Sequence, residues 1–139
     1  MNDTNEWNKK IIEEFRENEG KVGGMFENTP LLLLHTTGAK SGEARINPAA
    51  YIANGERFVV LASKAGAPTN PDWYYNLVAN PAVSVEVGTE QFQARATVAT
   101  EPERTKLFEQ MVAVNPGFAE YEQKAAPRII PVIILTRTS

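Results

Sequence analysis

The chain of 139 residues contains no cysteine and one histidine, His35. Without thiols there are no disulfides, no thiolate nucleophile and no cysteine metal site. That composition suits a reducing cytoplasm. His35 ends an apolar run with no Asp or Cys close to it in sequence. It reads as a packed or hydrogen-bonded side chain, and the expectation is no metal. No Ser/His/Asp arrangement stands out. Long hydrophobic runs are also missing: the longest, residues 31–34, is strand-sized, far short of the ~18 residues of a membrane helix. The first residues carry Asn2, Asp3 and Glu6 in place of a basic stretch and apolar core, which argues against a secretory signal. A cytoplasmic protein without stable membrane insertion is expected. Positive charge is not in excess either. Fourteen basic against seventeen acidic residues give −3, so nothing global draws nucleic acid or anionic membrane. Any bound anion needs a local basic cluster.

What is present fits one globular domain over 1–139, with 42% hydrophobic and 22% charged residues. Residues 1–24 form an amphipathic helix and a glycine-rich connection in this reading. Trp7, Ile11, Ile12 and Phe15 make a narrow apolar stripe over 5–19, charged residues fill the other face, and Gly20, Gly23 and Gly24 end the pattern. Asp3 and Glu6 have capping-box spacing. The stripe predicts packing across a barrel.

Strands are predicted at 31–36, 46–53 and 57–62, with Asn54-Gly55 as the tight turn of the clearest hairpin. Asn70 and Pro71 open a short helix through Trp73 and Leu77. Val83, Val85 and Val87, then Phe92, Ala94, Ala96 and Val98, alternate with polar residues as a half-buried antiparallel hairpin does. Thr100 and Glu103 have capping-box spacing before a helix to about Val114, which Asn115-Pro116 breaks. A short stretch holds Phe118 and Tyr121. Residues 129–135 form the last strand, with Pro131 suggesting an edge or bulge. The sum is an α+β chain, mainly β: a six-stranded antiparallel split barrel with helices capping its ends.

Two loops carry the candidate chemistry. In the first, 36–45, Gly38 and Gly42 allow close backbone approach, Ser41 offers a hydroxyl, and Lys40 and Arg45 add charge. This is an anion cradle in chemical type, without Walker spacing. A solvated hairpin turn is the plain structural reading of the same residues. The second, 63–71, offers small residues and Lys64 before a helix N-terminus. Asp72 already places a carboxylate in that first turn, so phosphate is not assigned there. The small backbone surface at 62–65 is instead a candidate to lie against a flat ring. For Trp73, core packing and a cofactor wall are both open readings. Lys9, Lys10, Lys21, Arg57, Arg95, Arg104, Lys106, Lys124 and Arg128 are interleaved with acids and read as solvated surface.

Taken in order, Thr36-Thr37-Gly38-Ala39-Lys40-Ser41-Gly42, Arg45, Asn47-Pro48, then 61–68, then Asn70-Pro71-Asp72-Trp73-Tyr74-Tyr75-Asn76-Leu77 and Ala79-Asn80-Pro81 resemble the deazaflavin-dependent nitroreductase family. The resemblance runs from about Lys21 to Leu135. It implies a split β-barrel and the coenzyme F420, a flat deazaflavin bearing a phosphodiester and an oligoglutamate tail. It implies that Ala39, Lys40, Ser41 and Arg45 hold the phosphate and tail. Arg45, Ile46, Asn47, Pro48, Ala49 and Ala50, with Leu61, Ala62, Ser63 and Lys64, would line the ring. Trp73, Tyr74 and Asn76 would close the site, and Phe118 would reach it from the C-terminal side. Asn115 and Ala50 depart from the family's aromatic acceptor pocket, which Phe118 and Tyr121 keep. Pro127 departs too, and the inference to nitroimidazole reduction weakens accordingly.

The expected reaction is hydride transfer from the reduced deazaflavin to an electron-poor acceptor: a quinone, enone, unsaturated lactone or nitro compound. Ser63 and Tyr121 are candidate proton or hydrogen-bond donors, with water an equal alternative. Three rivals remain open: a non-catalytic F420 or flavin carrier, an FMN- or haem-binding split-barrel oxidoreductase, and a structural interaction domain. The chain is expected as a monomer or homodimer with a small-molecule acceptor and no nucleic acid.

Overall fold

The computed structural model describes residues 3–23, 30–63, 66–67 and 69–138, with the side chains of 3–7 outside that description. In chain order the elements are α1 (Asp3–Glu17), β1 (Leu31–Thr37), β2 (Ala44–Asn54), β3 (Arg57–Leu61), α2 (Asp72–Ala79), β4 (Ala82–Val87), β5 (Glu90–Val98), α3 (Glu103–Val114), α4 (Gly117–Ala125) and β6 (Val132–Arg137). The strands close into an antiparallel barrel in the order β1-β2-β3-β6-β5-β4, the expected α+β split barrel.

Period-two alternation divides the side chains between two faces. Leu32, Leu34, Val60, Val83, Val85, Phe92, Ala94, Ile133 and Leu135 fill the lumen, with Ala49, Tyr51 and Phe58 against them. Leu31 and Leu33 point outward beneath Ile11, Ile12 and Phe15 of α1. Val59, Leu61, Val132 and Ile134 point outward beneath Leu107, Phe108 and Met111 of α3 and Phe118 of α4. Burying Phe15 completely contributes roughly 1.5–3 kcal/mol to holding α1 in place. The helices therefore do not simply cap the barrel ends. Among the described residues of the helices, only those of α2 join the lumen cluster, through Trp73 and Leu77, while α1, α3 and α4 lie on the outer wall.

Three local expectations are corrected. The β2–β3 turn is Gly55-Glu56, flanked by the pair Asn54↔Arg57, not Asn54-Gly55. Only Gly55 takes a positive φ, 64°, as a II′ turn asks of its first central residue. Thr100 does not cap α3 with its side chain. The N-cap is Pro102, and the Glu101 carboxylate accepts from the Thr105 N–H at 2.9 Å. The Thr105 hydroxyl and N–H together hold the Glu101 carboxyl below its ordinary range. Pro131 precedes β6, which pairs on both sides, with β3 and β5, so it marks neither an edge nor a bulge.

His35 is hydrogen-bonded, as expected. Its Nε2 donates to Glu86 Oε2 on β4. Arg16 of α1 donates to the same carboxylate through Nε and Nη2, at 3.2 and 2.8 Å. Arg16 first, and His35 after it, hold the Glu86 carboxyl below 4.5 against an opposing desolvation. A depressed folded value means that this stabilisation is complete above the ordinary range and vanishes as pH falls through the folded value. Arg16 is half exposed, so the contribution is about 1 kcal/mol or less. Urea midpoints at pH 7 and pH 3 check this: Glu86→Gln loses less stability over that interval than the wild type does.

Candidate functional site

The barrel is split along β2. Its pairing with β3 begins at Tyr51↔Val60 and runs to Asn54↔Arg57. Its pairing with β1 covers the whole stretch from Ala44 to Ala50. Among the described residues, 44–50 of β2 thus have a strand partner on one side only. The Tyr51 N–H bonds Pro30 O on the β1 side, at 3.2 Å. By antiparallel alternation, Ile46 and Pro48 then turn their backbone polar groups to the open side. Pro48 has no N–H to leave unpaired there, the position a strand proline tolerates. Every residue from Ile46 to Tyr51 is half-buried, whereas Leu31 to Leu34 opposite are buried. The lower lip of the opening is the end of β3, Leu61, followed by the buried Ala62 and Ser63.

The first loop stands at the top of this opening. Gly38 N–H donates to Glu43 O at 2.7 Å and Gly42 N–H to Gly38 O at 3.0 Å, closing a compact turn. The Ser41 hydroxyl accepts from the Glu43 N–H at 3.1 Å, which leaves its own proton free to donate. Lys40 and Arg45 are exposed, and Arg45 pairs with Glu43 at 3.2 Å. The loop is tied to α2 by a buried amide. Asn76 Oδ1 accepts from the Ala39 N–H at 3.0 Å, and Asn76 Nδ2 donates to Thr36 Oγ1 at 3.3 Å. Because α2 directly follows the second loop, this amide brings the cationic turn and the small-residue turn to one end of the barrel. Trp73 is 8% exposed and packed in the lumen cluster; Tyr74 is half-buried and edge-on to Tyr75.

The second loop is organised by a residue read from sequence as solvated surface. Arg128 is half-buried, in the α4–β6 linker. Its Nε donates to Ala67 O (3.0 Å), its Nη1 to Ala62 O (3.1 Å) and Asn70 Oδ1 (2.6 Å), and its Nη2 to Ser63 O and Ala67 O (both 2.7 Å). Arg104, also read as solvated, is instead turned onto Ile130 O at 2.8 Å and over the Phe108 ring. Flanking Pro127 and Ile129-Ile130-Pro131, with no acid within five residues, were the available signal that Arg128 is not paired at the surface. Gly66, at φ 81°, lies so close to α4 that a Cβ would stand 2.7 Å from Lys124 Cβ. Lys64, predicted as a ring contact, lies outside the described residues.

A pocket of about 140 Å³ opens beside Ala50, between β2 and the α3–α4 junction, lined by Pro30, Tyr51, Met111, Val114, Asn115, Pro116 and Phe118. That is the size class of a cavity that holds one benzene ring. Asn115 Oδ1 accepts from the Gly117 N–H at 3.2 Å, which fixes the amide and leaves its NH₂ unspent. Burial pushes the Tyr51 hydroxyl above 10.0, so it stays protonated at neutral pH. Tyr121 does not line the pocket but stands edge-on behind Phe118, at 5.6 Å.

The family model for F420H(2)-dependent quinone reductase matches residues 7–137. The chain belongs to that family. An F420H(2)-dependent quinone reductase of Mycobacterium tuberculosis is 36% identical over 126 residues, covering 88% of this chain and 85% of the relative. A solved F420-H2-dependent reductase is 38% identical with a TM-score of 0.70, over 76% of this chain and 93% of that one. A domain-swapped dimer is 34% identical with a TM-score of 0.72, over 95% and 98%. As a member of the F420H(2)-dependent quinone reductase family the chain is an oxidoreductase, and its opening in β2 lies among the residues singled out from sequence. Among the described residues no helix is long and apolar enough to cross a membrane.

In this family member the Asn76 amide has a measurable role. Asn76→Ala leaves the Ala39 N–H and the Thr36 hydroxyl without their partner. Unfolding in urea is expected to show a loss of about 1–3 kcal/mol, the cost of buried polar groups left unpaired.

Proposed function

We propose that this chain reduces quinones with reduced F420 as hydride donor. The observation that carries the reading is the one-sided stretch of β2, bordered above by Lys40 and Arg45 and below by Ala62 and Ser63. The donor set fits the cofactor. A phosphodiester and glutamate tail call for local cations, and Lys40, Arg45 and the Ser41 hydroxyl stand exposed at one lip. A planar ring calls for a slot of small residues with open backbone, and Ala49, Ala50 and the backbone of Ile46 and Pro48 supply it. Asn47 and Trp73 back the slot from the lumen side, and Asn76 and Tyr74 hold its upper wall. When bound, F420 supplies the hydride from C5 of its ring.

The residues of the chain do the rest. Ala50 belongs both to the slot and to the pocket beside Phe118, so an acceptor there lies next to the ring. The apolar lining excludes water and orients a ring-sized acceptor. Asn115 lines the pocket, and its NH₂ is the group suited to meet charge developing on an acceptor oxygen, with the Ser63 hydroxyl after β3 as a second candidate; Tyr121, behind Phe118, is not. Enones and unsaturated lactones share the quinone's electron-poor carbon and carbonyl and fit the same pocket. Nitro compounds fit it less well, because Asn115 and Ala50 stand where aromatic walls would be needed.

Titration of the pure protein with F420, followed by ring fluorescence, tests the reading, with anaerobic mixing of reduced F420, protein and a benzoquinone as its second arm. Lys40→Ala and Arg45→Ala are each expected to raise the Kd about tenfold, or ~1.4 kcal/mol, and to leave the thermal midpoint in place, since both side chains are exposed. Rising salt should weaken the wild type more than either variant. Unchanged affinity in both variants refutes the assignment. Tight binding without quinone reduction makes the protein a carrier.

A further inference from the structure

We propose that Arg128 is the positioning residue of the cofactor slot: it fixes the backbone at residues 62, 63 and 67 and the side chain of Asn70, and so the place of Ser63 beside the open edge of β2. The inference rests on the F420 reading above.

A guanidinium has five N–H donors in a rigid fork. All five are spent here, on Ala62 O, Ser63 O, Asn70 Oδ1 and, twice, Ala67 O. Arg128 therefore has no donor left for a phosphate or a glutamate tail. It also forms no ion pair with Asp or Glu among the described residues, unlike Arg16, Arg45, Arg57, Arg104 and Arg137. A half-buried cation without a carboxylate stays favourable only if dipoles surround it, and the turned-in carbonyls do so. The constraint runs both ways. Three carbonyls from residues 62, 63 and 67 point at one centre, which fixes those three residues relative to one another. Gly66 shows how close the loop lies to α4, since a Cβ there would collide with Lys124 and approach Tyr121 O at 3.1 Å. The carbonyls of Ala62 and Ser63 both point to Arg128, which fixes the backbone that follows β3 where its pairing with β2 has ended. Lysine cannot replace the fork: its ammonium is a point donor with three N–H groups.

The test compares two ligands, F420 and the deazaflavin ring fragment that lacks the phosphodiester and glutamate tail. Arg128→Lys is expected to weaken both by the same factor, tenfold or more, because the loop meets the ring and not the tail. Asn70→Ala, which removes one acceptor and spares the fold, should weaken both by a smaller common factor. Arg104→Met is the control for stability: it releases the same linker at Ile130 O and should lower the thermal midpoint without altering either Kd. Wild-type affinity in Arg128→Lys overturns the proposal. So does a loss confined to whole F420, which would make Arg128 a tail contact, or an equal loss in Arg104→Met, which would make it merely structural. A wild type that binds neither ligand fails at the F420 reading itself.

Discussion

The barrel depends on its shortest seam. β1 and β4 share three residue pairs, Leu33↔Glu86, Leu34↔Val85 and His35↔Ser84, while β1 and β2 share seven. Without that seam the sheet would be open, with two unpaired edges and a lumen cluster facing water. The inward pair of the seam, Leu34 and Val85, is fully buried in the lumen. On the outer face His35 and Glu86 are diagonal neighbours across the seam, and Arg16 closes over them from α1. One carboxylate thus joins β1, β4 and the first helix. Gly20 sharpens the same junction: a Cβ there would stand 2.7 Å from the Gly88 Cα in the β4–β5 turn, so the chain leaving α1 lies directly on that hairpin.

Secure closure on that side allows the opposite side to be incomplete. β2 can leave residues 44–50 half-paired because β1 holds their other edge over its full length and α1 covers Ile46 and Ala50 from outside. A strand edge left open is ordinarily a hazard. Here it is short, carries a proline, and is flanked by Arg45 and Lys40, the devices that discourage pairing with another chain. Those same features make it suited to a small anionic ligand with a flat ring. The site is a controlled failure of β-pairing, bounded by loops that are themselves well bonded.

The sequence made much of this legible, for physical reasons that differ from element to element. Alternation in 83–87 and 92–98 followed directly from one face being lumen and the other solvent; the 46–53 and 57–62 strands were found from the turn between them. The motif order around Lys40, Asn47, Ala62 and Trp73 pointed to the residues around the opening. The misses depend on contacts that the residue letters do not show, two of them local and one distant in the chain. Glu101 outcompetes Thr100 as the cap because Pro102 at the N-cap sets the chain so that its carboxylate reaches the Thr105 N–H. Gly55-Glu56 becomes the turn because the register of Ile52↔Val59 fixes where β2 must end. Arg128 was invisible because its acceptors are mostly main-chain oxygens more than sixty residues away, and a carbonyl has no letter in a sequence.

Main-chain acceptors also explain how the two halves of the opening are coupled. Arg104 reaches from α3 to Ile130 O, and Arg128 reaches from the same linker to the loop after β3. α4 begins at the pocket with Phe118 and ends one residue before that linker. Its middle, at Tyr121 and Lys124, is in close contact with Gly66. The wall beside the pocket and the floor at Ala62 and Ser63 are thus bonded to the same few residues of chain, 126–131. Two loops anchored separately would drift independently, and the distance between a hydride donor and its acceptor would vary with both. Anchored to one linker they move together, which is the condition for a fixed transfer distance. Arg128 ties the loop after β3 into the barrel wall without spending a donor on any ligand, while Arg104 secures the linker at Ile130.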